Sequence, residues 1–318
     1  MSSTKTTEIA ALGEFGLIDR LTKQLGRRHA TTLHGAGDDA AVIDLGDEVL
    51  LISCDMLSEG IDFDLRYFAP KLLGYKAVVR GINDIVAMNA HAEQIVVALG
   101  VSAKISVEFL DELYEGIEHA CKQYNVDLVG GDTTSTLNGM TISITAIGRA
   151  KREDVVYRTG AQEHDLICIS ANLGAAYMGL HLLERYLKPR ARIDIIEALA
   201  EAGIRPTSMI DLSDGLASDL RQICRSSHCG ARIYLERIPI ARQTTALAEE
   251  MNIDPVIAAL NGGEDHELLF TVPLSMQEKI QSLQMVDIIG HITSEQSGVT
   301  LVTPDGEAIA LKAPAFDR

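Results

Sequence analysis

Read for hydrophobic and polar positions, the chain alternates short apolar runs with stretches of helical period. Residues 49–53 and 94–101 are apolar and β-branched over strand-like lengths, and 140–147 alternates Thr and Ser with Ile, Met and Ala as a half-buried strand does. Pro70 opens a stretch to about residue 88 with apolar positions at Leu73, Ala77, Ile82, Ile85 and Val86, and 106–124 repeats that period with acids in its first turns. Both predict amphipathic helices. Residues 151–165 are charged and contain Gly160, and a new strand pattern begins at 166–170, so a domain boundary is expected near Ala150. The second half predicts helices near 174–187, 193–202 and after Ser213, and strands at 231–235, 267–272 and 286–291. With no internal repeat, the expected architecture is two α/β (α+β) domains, 1–150 and 151–318.

Composition narrows what such domains do. Forty-seven per cent of the 318 residues are hydrophobic, enough for two cores, yet no apolar run approaches the roughly 20 residues of a membrane helix. The polar N-terminal residues 1–14 lack a signal-peptide core, which predicts a cytoplasmic protein. The five cysteines (Cys54, Cys121, Cys168, Cys224, Cys229) are scattered and include no Cys-x-x-Cys pair, so they read as reduced; Cys224, His228 and Cys229 form at most an incomplete zinc site. Forty-five acidic against 28 basic residues give a formal charge of −17, which opposes contact with a nucleic-acid backbone. It does not oppose a small polyphosphate bridged to carboxylates by divalent cations, so the placement of the acids carries the information.

The acids gather beside glycines and at strand ends. Gly35-Ala36-Gly37-Asp38-Asp39-Ala40 superficially matches a dinucleotide fingerprint, but a strand rather than a helix follows, and paired aspartates repel a naked pyrophosphate; an ordinary turn or a turn presenting carboxylates to metal remain. Asp55 follows the run 50–53. Asp132 follows 127–129 through Gly130-Gly131, small residues that admit a phosphate or an ion to the backbone. Asp84 lies inside the Pro70 helix, where an i, i+4 ion pair with Arg80 is the plain alternative. In Asp211-Leu212-Ser213-Asp214-Gly215-Leu216, Ser213 or Asp214 can cap the following helix, but capping does not account for Asp211. Gly262-Gly263-Glu264-Asp265-His266-Glu267 places three more acids before a strand. Oxygen-only ligands select hard cations such as magnesium. No Walker loop, His-Arg-Asp signature or nucleophile elbow is present, so a triphosphate is bound some other way.

Taken together in order and spacing, these motifs resemble the thiamine-monophosphate kinases, within the larger family that includes aminoimidazole ribonucleotide synthetase, selenophosphate synthetase and a hydrogenase maturation protein. The resemblance runs from Gly13-Glu14-Phe15 through Gly37-Asp38-Asp39, Ser53-Cys54-Asp55, 83–88, 130–134, Arg158-Thr159-Gly160 and 211–216 to Gly262-Gly263-Glu264-Asp265. It implies ATP-dependent phosphorylation of thiamine monophosphate to thiamine diphosphate by a homodimer whose N-terminal domains pair through their sheets. It also implies that Asp39, Ser53, Cys54, Asp55, Asp84, Asp132, Asp211 and Asp214 coordinate magnesium, with Asp39, Asp84 and Asp211 central to catalysis. Gly131, Arg158 and Ser213 would contact ATP, and Glu264 the thiamine phosphate.

The departures from the family pattern fall on the acceptor side. Cys54 stands where Thr is usual, Asp62 takes the place of a substrate-contacting His, and His266 replaces a Tyr. Phe316 is the nearest candidate for an aromatic substrate contact near the C-terminus. Two rivals stay open: a related ATP-using enzyme with another acceptor, and a nucleotide- or metal-binding protein without turnover.

Overall fold

A computed structural model describes residues 11–182 and 184–312; Phe316 lies outside the described residues. The first half runs α1 (Gly13–Thr22), β1 (Thr32–His34), β2 (Ala41–Asp44), β3 (Glu48–Ser58), α2 (Pro70–Ala87), β4 (His91–Ser102), α3 (Val107–Tyr124), β5 (Asp127–Thr136) and β6 (Met140–Lys151). Its strands form one six-stranded mixed sheet in the order β1-β2-β3-β6-β4-β5, antiparallel except for the β4–β5 pair. Along β6 the alternation puts Ile142, Ile144 and Ala146 into the core and Ser143 and Thr145 on the other face. Among the described residues that other face is left bare: Cys54 and Met56 of β3 lie exposed on it, and β5 is exposed along almost its whole length.

Helices α2 and α3 cover the inner face. Pro70 starts α2 where a missing N–H costs nothing, and Ser106 Oγ accepts from Phe109 N to cap α3, which ends on Asn125 in the left-handed conformation. The two helices touch through backbone. A Cβ on Gly74 would lie 2.0 Å from the Leu113 carbonyl oxygen, and one on Gly116 1.9 Å from that of Lys71. Because neither backbone can give way, Gly116→Ala is expected to cost about 3 kcal/mol in urea unfolding, whereas Gly26→Ala, with open space around it, stays within about 0.5 kcal/mol.

The second half runs β7 (Leu166–Ser170), α4 (Ala175–Leu182), α5 (Glu184–Leu187), α6 (Ile193–Glu201), β8 (Ser208–Asp211), α7 (Leu216–Ser227), β9 (Cys229–Tyr234), α8 (Arg242–Glu250), α9 (Pro255–Asn261), β10 (Leu268–Val272), α10 (Gln277–Ser282), β11 (Val286–Ser294), β12 (Val299–Val302) and β13 (Ala308–Ala310). Its sheet has the order β13-β12-β9-β11-β7-β10-β8, with β12 parallel to β9. Leu166–Ser170 and Leu268–Val272 are buried at every position, as expected of central strands covered on both faces. The halves share a core in which Val86 and Ala87 of α2 pack with Val156, Ile195, Met209 and Phe270. Among the described residues no helix is long and apolar enough to cross a membrane.

Two expected strand ends move. The run expected to stop before Asp55 continues to Ser58, and the run expected to stop before Gly130 continues through Gly131 and Asp132 to Thr136. Both aspartates therefore stand within strands, because the ladders with β6 and β4 carry the backbone past the polar residues.

Candidate active site

A cleft of about 480 Å³ opens where α2 and the first sheet meet β8 and α7, and its walls include Asp38, Cys54, Asp55, Arg80, Asp84, Arg158, Asp211, Ser213, Asp214, Asp219, Glu264 and His266. These come from the turn before β2, from β3, α2, the link after β6, the end of β8 and the loop before β10. At the centre, Asp39, Asp84 and Asp211 each place a carboxylate oxygen within 4.8 Å of the other two. Burial, joined by the charges of Asp211, Asp55 and Asp39, holds the Asp84 carboxyl well above the ordinary range. Burial likewise raises Asp39 to about 6, against the pull of Arg158, whose Nη2 donates to its Oδ1 at 2.5 Å. The other oxygen of Asp39, Oδ2, is buried without a hydrogen-bond partner. Three converging carboxylates, one with an orphaned oxygen, fit a hard divalent cation; His266 Nδ1 lies 3.4 Å from Asp211 Oδ2.

Around this trio the local structure aims each side chain. Both Asp38 oxygens accept from the Arg158 backbone N–H at 3.2 Å, and burial followed by the charge of Asp39 pushes its carboxyl up to about 7. Ser213 and Asp214 do not take up the capping alternative: the N-cap of α7 is Gly215, and Asp219 Oδ2 reaches back to accept from the N–H groups of Asp214 and Gly215. This leaves Ser213 and Asp214 on the cleft wall. The alternative pairing of Asp84 with Arg80 is not the one formed. Arg80 Nε binds Asp55 at 2.6 Å, and its Nη1 lies 2.8 Å from Asp62 and 3.2 Å from Glu264.

The loop before β10 holds the other side. Gly263, Glu264 and His266 all have positive φ, a conformation that costs a non-glycine residue on the order of 1 kcal/mol and is held here by Glu264 N donating to the Ser213 carbonyl and His266 N to that of Leu212. Glu264 lies 2.9 Å from Lys76 Nζ and 3.7 Å from His266 Nε2. Burial works against its charge, but Lys76 and Arg80 outweigh burial and hold the carboxyl well below the usual range. Lys76, only 1% exposed, packs its ammonium 3.6 Å from the Tyr186 ring centroid. Nothing in the sequence singled out Lys76 beyond its being a cation within the helix α2, and Arg80 was marked there only as a local partner for Asp84. Of the remaining acids in this motif, Asp265 accepts from Gly174 N and Ala176 N at the start of α4, and Glu267 binds Arg192 and Ser170.

Several expected site residues stand elsewhere. Ser53 donates its hydroxyl to the Gly81 carbonyl, and Cys54, exposed at the cleft edge, neighbours Ser143 and Thr145. Asp62 turns one oxygen to the Ser58 N–H and the other to Arg80. Gly131 and Asp132 lie on the exposed edge strand β5 and do not join the cleft of their own chain.

His266 gives a pH test. Burial disfavours its charge, but the carboxylates of Asp211, 3.4 Å from Nδ1, and of Glu264, 3.7 Å from Nε2, raise it from 6.5 to about 9. A raised folded value means that its contribution to stability is complete below 6.5 and is lost as pH rises through 9. The stability difference between the wild type and His266→Gln, from denaturant melts in chelator, should therefore shrink steadily above neutral pH; a pH-independent difference would exclude an imidazolium there.

The sequence profile of the AIR synthase related protein N-terminal domain matches residues 37–150, and that of the C-terminal domain matches 151–312. The thiamine-monophosphate kinase of Mycobacterium tuberculosis is 35% identical over 280 residues, covering 84% of this chain and 83% of its own. That of Aquifex aeolicus is 31% identical over 277 residues, with 82% and 86% covered. The solved structure of AaThiL complexed with AMPPCP and TMP superposes with a TM-score of 0.84 at 29% identity, over 96% of this chain and 97% of that one. With both domain profiles matched and full-length relatives above 30% identity, the chain belongs to the AIR synthase related proteins and, within them, to the thiamine-monophosphate kinases.

Proposed function

We infer that this chain catalyses ATP-dependent phosphorylation of thiamine monophosphate to thiamine diphosphate. The observation that carries the reading is the likeness, over nearly the whole chain, to a kinase structure holding both an ATP analogue and TMP. The carboxylate trio at the junction of the two sheets agrees with it.

The reaction needs little from side chains except placement. An oxygen of the acceptor phosphate attacks the γ-phosphorus in line, the bond from that phosphorus to the β-γ bridging oxygen breaks, and ADP leaves with the electron pair. The acceptor phosphate is already an anion near neutral pH, so no general base is required, and among the cleft residues no Ser-His-Asp arrangement is needed or used. The difficulty is that one anion must approach another beside several carboxylates. Asp39, Asp84 and Asp211, with Asp55 and Asp214 at the margin, would hold magnesium, which would supply the positive charge that offsets both. Arg158 and Ser213 orient the nucleotide from the α7 side, and Glu264 faces the acceptor from the opposite side.

We place the enzyme in the cytoplasm as a homodimer. The bare outer face of the first sheet and its long exposed β5 edge support a partner there. Because Gly131 and Asp132 sit on that edge, a role for them in ATP or magnesium binding requires a site completed by the second copy. A second reading, the same transfer to a different phosphorylated acceptor, is favoured by Asp62 being engaged by Arg80 rather than turned to the cleft. The deciding experiment follows ATP consumption and thiamine diphosphate formation with magnesium and thiamine monophosphate, thiamine or no acceptor. Product with the monophosphate alone establishes the first reading; its absence, with the nucleotide still bound, selects the second.

A further inference from the structure

We propose that Arg80 recognises the phosphate of the acceptor and thereby sets the preference of this chain for phosphorylated acceptors; the proposal rests on the phosphoryl-transfer reading above. Three guanidiniums line the cleft, those of Arg80, Arg158 and Arg225, and the first two are bonded to different carboxylates, Asp55 and Asp39. On one side Arg158 is bonded to Asp39, near Ser213 and the start of α7, where the nucleotide is placed. On the other side stands Arg80, bonded to Asp55 and facing Glu264.

Among the cations of that second side, Arg80 is the one that reaches the cleft by an exposed surface. Lys76 is 1% exposed and spent on Glu264 beneath the Tyr186 ring, and the His266 side chain is also 1% exposed, whereas Arg80 is 16% exposed and lines the cavity. Its planar fork matches a phosphate with two parallel N–H bonds, which a lysine ammonium does not.

The surrounding charges explain why such a group is held ready. Lys76, Arg80 and His266 face Asp55, Asp62 and Glu264, three cations against three anions. Asp55 belongs to two neighbourhoods at once: it is bonded to Arg80, and its charge also raises the Asp84 carboxyl. If a divalent ion held at the trio drew on Asp55, Arg80 would be left one anion short, free to take an anion of the acceptor. Asp62, fixed by the Ser58 N–H, then acts as a positioning residue that holds Nη1 in place.

The test is calorimetric titration of thiamine monophosphate, and separately of inorganic phosphate, into full-length protein saturated with magnesium and AMPPCP, for wild type, Arg80→Lys and Arg80→Met. Arg80→Met strands three carboxylates, so the charge-conserving Arg80→Lys is the deciding variant. Thiamine monophosphate affinity is expected to fall about tenfold or more in Arg80→Lys and further in Arg80→Met, while AMPPCP affinity changes by less than about threefold. In turnover, the KM for the acceptor rises and that for ATP does not. Unchanged acceptor affinity in both variants, an equal loss of AMPPCP affinity, or a wild type that binds neither anion overturns the proposal. A wild type that binds phosphate through Arg80 but forms no thiamine diphosphate keeps it and moves the enzyme to another phosphorylated acceptor.

Discussion

Asp84→Asn is expected to lower turnover by on the order of 10³-fold while leaving the fold at least as stable as the wild type. The two halves of this expectation have one cause. In the unliganded protein, burial and the charges of Asp211, Asp55 and Asp39 hold Asp84 toward its protonated form, and an amide of the same shape reproduces that form without its proton equilibrium. An uncharged group, however, is a far weaker ligand for a divalent ion than a carboxylate. Magnesium should therefore raise the melting temperature of the wild type, by linkage worth about 2.7 kcal/mol at 100 times its Kd, and raise that of the variant much less. The plain alternative, an ion pair with Arg80 along the helix, predicts the reverse, lost stability with kept activity. Steady-state kinetics and melts with and without magnesium separate the two, and a variant within about tenfold of wild-type turnover would sink the metal reading.

Glu264→Gln is expected to destabilise the fold by about 3 kcal/mol at neutral pH, unusually large for a loop residue. The carboxylate is the counter-charge of a lysine that is 1% exposed, and it also faces Arg80 and His266. Its removal leaves Lys76 buried among Phe68 and Tyr186, supported by two cation–π contacts and the more distant charge of Asp62 but without its ion-pair partner. Lys76→Met relieves this, so the double variant should be more stable than Glu264→Gln alone, and a urea-unfolding cycle gives a coupling of opposite sign to simple additivity. If Glu264→Gln unfolds within about 1 kcal/mol of wild type, the buried charge lattice does not hold the loop.

How much of this was legible beforehand differs between fold and site. The two α/β halves and most elements follow from local rules, because a half-buried strand such as Met140–Lys151 alternates and a helix such as Val107–Tyr124 repeats its apolar face regardless of what lies on the other side of the core. The acids beside glycines were legible for a related reason: burying Asp39 or Asp211 is unfavourable without a partner, so their recurrence points to a ligand before any geometry is known.

Which acids meet was not legible, since it depends on contacts between residues from tens to more than a hundred positions apart. The sequence by itself determined the two-part α/β character, the carboxylate chemistry and the family likeness, all properties of composition, period and local order. Tertiary structure alone decided that Asp39, Asp84 and Asp211 form one trio while Asp132 lies on a bare edge strand, and that Arg80 serves Asp55, Asp62 and Glu264 rather than Asp84. The reason is that a side chain's partner is set by where sheet order and helix packing carry the backbone, and electrostatic preference acts only among the groups so delivered.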